Sequence, residues 1–60
     1  MAVLNYAPDV ASLHLQIVDT MARIDDALDR GDRRAFRMWC MKHRSLSTRL
    51  TSLLLKIVTS

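Results

Sequence analysis

Cysteine, glycine and proline occur only once each in these 60 residues, as Cys40, Gly31 and Pro8. A single cysteine excludes a disulfide within the chain, and with no export signal visible we expect a reducing, cytoplasmic location. No apolar run approaches the ~20 residues of a membrane span. His14, His43 and Cys40 lack the spacing of metal ligands, so we expect no metal and no cofactor.

Motifs of catalysis are also missing, since the sequence contains no phosphate loop, nucleophile motif or metal motif. Six aspartates are the only acidic residues, and the net charge is +3. Asp25, Asp26 and Asp29 have arginines nearby in sequence, which favours ion pairing on a helix surface. We therefore expect the chain not to be an enzyme.

Helix-ending residues divide the chain once. Pro8 suits a first helical turn, and Asp9 beside it favours the positive end of a helix. Gly31 fits a left-handed helix cap, and Asp32 can cap the next helix. We predict one all-α domain over residues 1–60, an antiparallel two-helix hairpin with helices at about 8–29 and 33–58 and an N-terminal leader at 1–7.

Heptad spacing predicts which side chains meet between the two helices, in a row here called the seam. In the first helix it selects Val10, His14, Ile17, Met21, Ile24 and Leu28. In the second helix it selects Phe36, Trp39, His43, Leu46, Leu50, Leu53 and Ile57. A turn at Gly31 then places Ile24 near Trp39 and Ile17 near Leu46. Coiled-coil packing of the hairpin follows from this register.

Apolar residues beyond the seam exceed what one hairpin can cover. A chain this short is marginally stable alone, and oligomerisation is a common remedy. We expect a homodimer or higher oligomer, built as a four-helix bundle. The expected self-association residues are Leu4, Tyr6, Leu13, Leu15, Val18, Leu54, Leu55 and Val58.

Arginines cluster over the start and middle of the second helix. With one exposed methionine they form the predicted partner-binding set of Arg30, Arg33, Arg34, Arg37, Met41 and Arg44. Guanidinium groups there can bind carboxylates or phosphates. A solvated face, a protein contact and a nucleic-acid contact all remain open.

The two histidines and the cysteine have modest expected roles. His14 and His43 are predicted as polar seam residues that help set the register, in layers about 10 Å apart, too far to share a metal within one hairpin. Cys40 is predicted at the edge of the core or on the surface.

The stretch from Ile24 to Phe36, with Asp25-Asp26 and Arg30-Gly31-Asp32 in it, resembles the motif of the IDEAL domain of small bacterial proteins. The resemblance covers residues 21–46, and Asp26 stands where that motif prefers glutamate. It implies a helical hairpin and says little about activity. The predicted architecture is also similar in shape to Rop-like plasmid regulators, hairpin dimers that bind RNA.

These features favour a small regulatory or adaptor protein from a bacterium or phage, which self-associates and binds a larger protein through a helical surface. One alternative is a Rop-like nucleic-acid-binding hairpin dimer. Another is a structural subunit of a larger assembly.

Overall fold

Two helices and a two-residue link make up the fold. A computed structural model describes residues 2–59 of the chain and the side chains from Tyr6 to Thr59. Helix α1 spans Ala2–Arg30 and helix α2 spans Arg33–Thr59, and no strand occurs in this described part. The helices fold back on each other into a hairpin of 46 × 15 × 10 Å. The prediction of an all-helical chain with two helices is confirmed.

The start of α1 differs from the prediction. The helix begins at Ala2 and includes Pro8, so residues 2–7 are helical and not a separate leader. Proline has no amide hydrogen, so Pro8 cannot donate to the carbonyl four residues earlier. The prediction treated Pro8 as a first-turn residue because that position needs no such bond. In the structure α1 continues on the N-terminal side of Pro8 although this hydrogen bond is absent.

The link between the helices has the predicted capping chemistry. Gly31 has a φ of 67°, the left-handed conformation that favours glycine. The Gly31 amide donates to the Leu28 carbonyl at 3.1 Å, and the Asp32 amide donates to the Ala27 carbonyl at 2.9 Å. This pair of bonds closes the end of α1 in a Schellman arrangement.

Asp32 then begins α2. Its Oδ1 accepts a hydrogen bond of 3.0 Å from the Ala35 amide, which would otherwise have no partner in the first turn. The Asp32 carbonyl accepts from the Phe36 amide at 3.0 Å, the first bond of the new helix. Both predicted roles, the glycine at the end of α1 and the aspartate at the start of α2, are confirmed.

The seam of α2 is as predicted, since all seven predicted residues from Phe36 to Ile57 are buried or half-buried. The predicted seam of α1 is wrong at every second position. The observed row is Tyr6, Val10, Leu13, Ile17, Thr20, Ile24 and Ala27. His14, Met21 and Leu28 are exposed, each one residue beyond the true seam position.

Small side chains explain this shift. A two-residue link holds the helices close together near the turn, where Ala27 fits between them and is 0% exposed. Thr20 is 1% exposed, and its hydroxyl donates to the Ile17 carbonyl at 2.7 Å, so burial leaves this donor satisfied. The prediction favoured the larger neighbours Met21 and Leu28 because they are more apolar.

The core of the hairpin is thin. Among the described side chains, the only buried apolar residues are Ala27 and Leu46, the latter 4% exposed. Nine large apolar side chains are exposed, and this leaves the hairpin with more uncovered apolar surface than buried core. Neither described helix combines the length and apolarity that crossing a membrane requires.

Candidate interaction surfaces

Charge is unequally divided between the two helices. Helix α1 has five aspartates and two arginines, which give it a formal charge of −3. Helix α2 has seven cationic residues and no carboxylate side chain, which give it a formal charge of +7. The remaining aspartate is Asp32 in the link. The hairpin therefore presents an acidic rod beside a strongly basic one.

The ion pairs of the described residues lie on α1 and the turn. Arg23 binds Asp19 at 3.0 Å, and Arg30 binds Asp26 at 3.0 Å and approaches Asp32 to 4.0 Å. No ion pair in this part of the chain uses a cation of α2. The basic side chains of α2 thus have no carboxylate partner within the hairpin.

Four of the six predicted partner-binding residues form one row, here called the arginine ridge: Arg34, Arg37, Met41 and Arg44. Their spacing of three, four and three residues places them on one side of α2. Arg34 and Met41 lie two positions from the nearest seam residues, on the outer edge of α2. Arg37 and Arg44 directly follow Phe36 and His43, so they lie between this edge and one broad side of the hairpin. All four side chains are exposed, and Met41 is 74% exposed.

The other two predicted partner-binding residues lie elsewhere. Arg30 ends α1, and its guanidinium is engaged by Asp26 at 3.0 Å. Arg33 is exposed beside the turn, where it borders a shallow groove together with Leu28 and Phe36. The six predicted residues therefore do not form one continuous surface, and their role in partner binding stays a prediction.

The hairpin also has two broad faces, which the seam positions define. Residues that directly follow a seam position are rotated by about 100° to one side, and residues that directly precede one are rotated to the other. Because α1 and α2 are antiparallel, the "following" residues of both helices share one broad face. Gln16 of α1 and Arg49 of α2 both precede seam positions and border the same groove, as this geometry requires.

The following face, here called the apolar face, contains most of the exposed apolar side chains: Val18, Met21, Leu28, Leu54 and Val58. The preceding face, here called the polar face, has Met38 as its only large exposed apolar residue among the described side chains. Its other members are mostly polar or charged: Asp9, Ser12, Gln16, Asp19, Arg23, Asp26, Lys42, Arg49 and Lys56. The apolar face also includes the charged residues Asp25, Arg37 and Arg44, so the two faces differ mainly in their exposed apolar side chains.

The predicted self-association residues fall on three different surfaces. Val18, Leu54 and Val58 lie on the apolar face, and Leu15 and Leu55 lie on the outer edges of their helices. Tyr6 and Leu13 are half-buried in the seam, so the expectation that Leu13 is surplus to the seam is wrong. The Leu4 side chain lies outside the described residues.

An unpredicted cluster surrounds Trp39. The Arg23 guanidinium of α1 lies 4.8 Å from the centre of a Trp39 ring, and the Lys42 amine lies 5.4 Å from it. The Arg23 contact joins α1 to α2 at the polar face, whereas the Lys42 contact lies within α2. Arg23 precedes Ile24, so the contact agrees with the predicted register of Ile24 and Trp39. The signal in the sequence was the heptad register, which places Arg23 beside the only tryptophan.

The histidines and the cysteine take up different positions. His14 is exposed on the apolar face, which corrects its predicted place in the seam. His43 is half-buried in the seam, and its Nδ1 atom is buried without a hydrogen-bond partner in the described structure. Cys40 is a half-buried free thiol on the apolar face. Within residues 2–59, no three His, Cys, Asp or Glu side chains come together as metal ligands.

No family model matches the chain, and no curated protein or solved structure is significantly similar to it. The resemblance to the IDEAL domain remains a prediction.

Proposed function

We propose that this chain is a small non-enzymatic regulatory or adaptor protein of the cytoplasm that self-associates and binds a larger protein through the arginine ridge. The main observation in support is that α2 has seven cationic residues, no carboxylate and no ion pair in the described structure. Exposed guanidinium groups without partners favour a ligand that supplies carboxylates. Binding would act by covering or reshaping the partner's surface.

The composition of the ridge favours a protein over other polyanions. Met41 lies at its centre and is 74% exposed, between Arg37 and Arg44. Arginine and methionine are both enriched where proteins meet, whereas lysine is depleted there. An apolar side chain between arginines matches a partner surface with carboxylates around an apolar contact. The partner we propose is an acidic helix or groove of a larger protein.

A matched pair of double variants tests the ridge. The first combines Arg34→Gln with Arg44→Gln, and the second combines Arg49→Gln with Lys56→Gln on the polar face. Both remove two positive charges from exposed positions of α2. We expect the ridge variant to lose at least about tenfold in affinity, because an interface arginine often contributes more than 1 kcal/mol. The polar-face variant keeps affinity within about threefold, since rim charges contribute little.

The measurement is affinity capture from the native host, identification of the retained protein by mass spectrometry, and titration of that purified protein. Equal binding by the ridge and polar-face variants would mean that the ridge is not the contact. Recovery of nucleic acid and no protein would favour the second candidate function.

That second candidate is a nucleic-acid-binding hairpin dimer, and the +7 charge of α2 favours it. Binding to phosphates releases counterions, so the affinity would fall steeply with salt. A gel-shift series with structured RNA and duplex DNA between about 50 and 200 mM salt measures this dependence. The absence of any shift at the lowest salt concentration removes this candidate.

A further inference from the structure

The exposed area of the hairpin is larger than its mass predicts. The chain exposes 4910 Å², whereas a folded monomer of 6.9 kDa is expected to expose about 4,000 Å². The excess of roughly 900 Å² is close to the ~800 Å² that each partner buries in a stable interface. One additional chain of similar size is enough to cover it.

We propose that the apolar face binds a second copy of this chain, with both turns at the same end, so that α1 packs against α2 of the partner subunit. The proposal rests on the self-association part of the proposed function and specifies its face and orientation. The product is a four-helix bundle in which all neighbouring helices are antiparallel.

The choice of face follows from where the apolar side chains lie. Met21 and Leu54 directly follow seam positions and are 56% and 44% exposed. Small side chains accompany them on α2, where Ser47 and Thr51 allow a partner helix to approach closely. On the polar face the same positions hold charged side chains such as Lys42 and Arg49. Covering that face would remove these charges from water at a large cost.

The choice of orientation follows from charge. A two-fold axis across the hairpins would place α1 on α1 and α2 on α2, which brings +7 against +7. A two-fold axis along the bundle places α1, with −3, against α2 of the partner subunit, with +7. Opposite charges attract across an interface and like charges disfavour it, so the second arrangement is favoured.

One ion pair is specific to this orientation. Asp25 follows Ile24 and Arg37 follows Phe36, so both border the apolar face at the same level of the hairpin. A rotation about the bundle axis keeps each residue at the same distance from the turn, so Asp25 meets Arg37 of the partner subunit. The same symmetry places Arg37 against Asp25 of the partner subunit. Asp25 has no ion pair within the described hairpin. Arg34 and Met41 stay on the outer edge, available to another protein.

Two methionines provide a matched test of the face. Met21 on the apolar face and Met38 on the polar face are 56% and 54% exposed. We expect Met21→Lys to raise the dissociation constant of the dimer at least about tenfold, because it places an unpaired charge in the interface. Met38→Lys changes it less than about twofold. Sedimentation equilibrium measures both constants, and circular dichroism reports folding.

A second matched pair makes the test independent of how one variant folds. Leu54 borders the apolar face and its neighbour Leu55 lies on the outer edge, although Leu55 is the more exposed at 59%. Leu54→Lys should weaken the dimer, and Leu55→Lys should leave it intact. The assignment of the face is overturned if Leu55→Lys or Met38→Lys dissociates the dimer as strongly as its counterpart.

Charge exchange tests the orientation. Asp25→Arg and Arg37→Asp each place like charges together twice in the symmetric dimer, and each should weaken it by about three- to tenfold. Mixing the two variants restores both ion pairs in a heterodimer, so association should return to the wild-type constant. A mixture of Asp25→Arg with Arg49→Asp forms heterodimers that retain one like-charge contact and one ion pair, so association should recover only in part and stay weaker than in the first mixture. Failure of the first mixture to recover excludes packing of α1 on α2.

The outcomes separate this inference from the proposed function. A wild-type chain that is folded and monomeric at micromolar concentration contradicts self-association as a whole. A wild-type dimer that ignores the Met21 and Asp25 variants contradicts only the face and the orientation proposed here. Arg44 directly follows His43 and borders the apolar face, so partner binding is separated from self-association by Arg34→Gln alone, which changes only the outer edge.

Discussion

At the scale of single residues, the turn depends on two adjacent positions with different physical roles. Gly31 supplies a backbone conformation with a φ of 67°, and its amide and that of Asp32 close the end of α1. Asp32 supplies a carboxylate oxygen for the Ala35 amide at 3.0 Å. The first role concerns the backbone and the second a side-chain acceptor, so substitutions separate them.

Gly31→Ala is predicted to destabilise the hairpin by about 1 kcal/mol, the usual cost of a left-handed conformation for a residue with a Cβ. A Cβ at this position meets no atom within 4 Å, so the loss comes from the backbone alone. Urea unfolding monitored by circular dichroism measures it. Gly31→Asn should lose less, because asparagine tolerates this conformation. Equal losses in the two variants would argue against a backbone origin.

The turn could be predicted from the sequence because capping chemistry is local. Gly31 and Asp32 act on amides and carbonyls within five residues of themselves, so reading a few residues was sufficient. The start of α1 was predicted wrongly because that prediction also used only local chemistry, at Pro8. Its local preference for a first turn was read correctly, but α1 extends through it and begins at Ala2. Local preference did not set that boundary.

At the scale of helices, the seam of α1 shows what the sequence could not decide. Val10, Ile17 and Ile24 belong to both the predicted and the observed row. Between these shared positions, the sequence allows either of two adjacent residues in the seam, Thr20 or Met21 and Ala27 or Leu28. Contact with α2 selects Thr20 and Ala27. The larger residues Met21 and Leu28 then remain exposed. Apolarity alone therefore identified the helix face to within one residue and missed the small side chains that let the helices approach.

Apolar periodicity also does not distinguish a residue of the seam from a residue that remains exposed beside it. Leu13 was assigned to self-association because the predicted seam had passed to His14, and the structure reverses the two. The arginine cluster of α2 could be recognised because its spacing needs only one helix, although the row predicted from that spacing contained Arg33 and the ridge contains Arg34 in its place. The assignment of apolar residues to one broad face needed the register of two helices, which the contact of Arg23 with Trp39 at 4.8 Å now supports.

His43 gives a prediction at this scale. It lies in a seam row that otherwise contains aromatic and aliphatic residues, and its buried Nδ1 has no hydrogen-bond partner in the described structure. A buried polar atom without a partner costs about 1–3 kcal/mol. We expect His43→Leu to stabilise the hairpin by about 1 kcal/mol, since it removes this cost and adds apolar contact.

Urea unfolding of His43→Leu beside His43→Gln isolates the effect. Glutamine keeps a polar group at the same position, so it should give no gain in stability. The observed register places Thr20 in the layer of His43, and its hydroxyl already donates to the Ile17 carbonyl at 2.7 Å. A His43→Leu variant that is no more stable than the wild type would mean that the histidine contributes a contact that outweighs the cost of its unpaired atom.

At the scale of the whole molecule, the proposed contacts use different sides of the hairpin. In the assembly proposed above, the apolar face contacts a second copy, the outer edge of α2 contacts another protein, and the polar face remains in water. In the proposed dimer Arg34 and Met41 remain accessible on the outer edge, whereas Arg37 borders the apolar face and contacts the second copy.

Self-association and folding should be coupled, because only Ala27 and Leu46 are buried apolar residues within the described hairpin. A dimer that forms from the folded state stabilises that state by mass action. The melting temperature of the wild-type chain should therefore rise as protein concentration increases from about 5 to 500 μM, by roughly 4–8 °C for each kcal/mol gained. Met21→Lys should melt at one low temperature over the same range, whereas Met38→Lys should keep the wild-type dependence.

Circular dichroism melts in cells of different path length measure all three chains. A wild-type melting temperature that stays constant with concentration would mean that the hairpin folds without a second copy, and the thin core would then have to be sufficient alone.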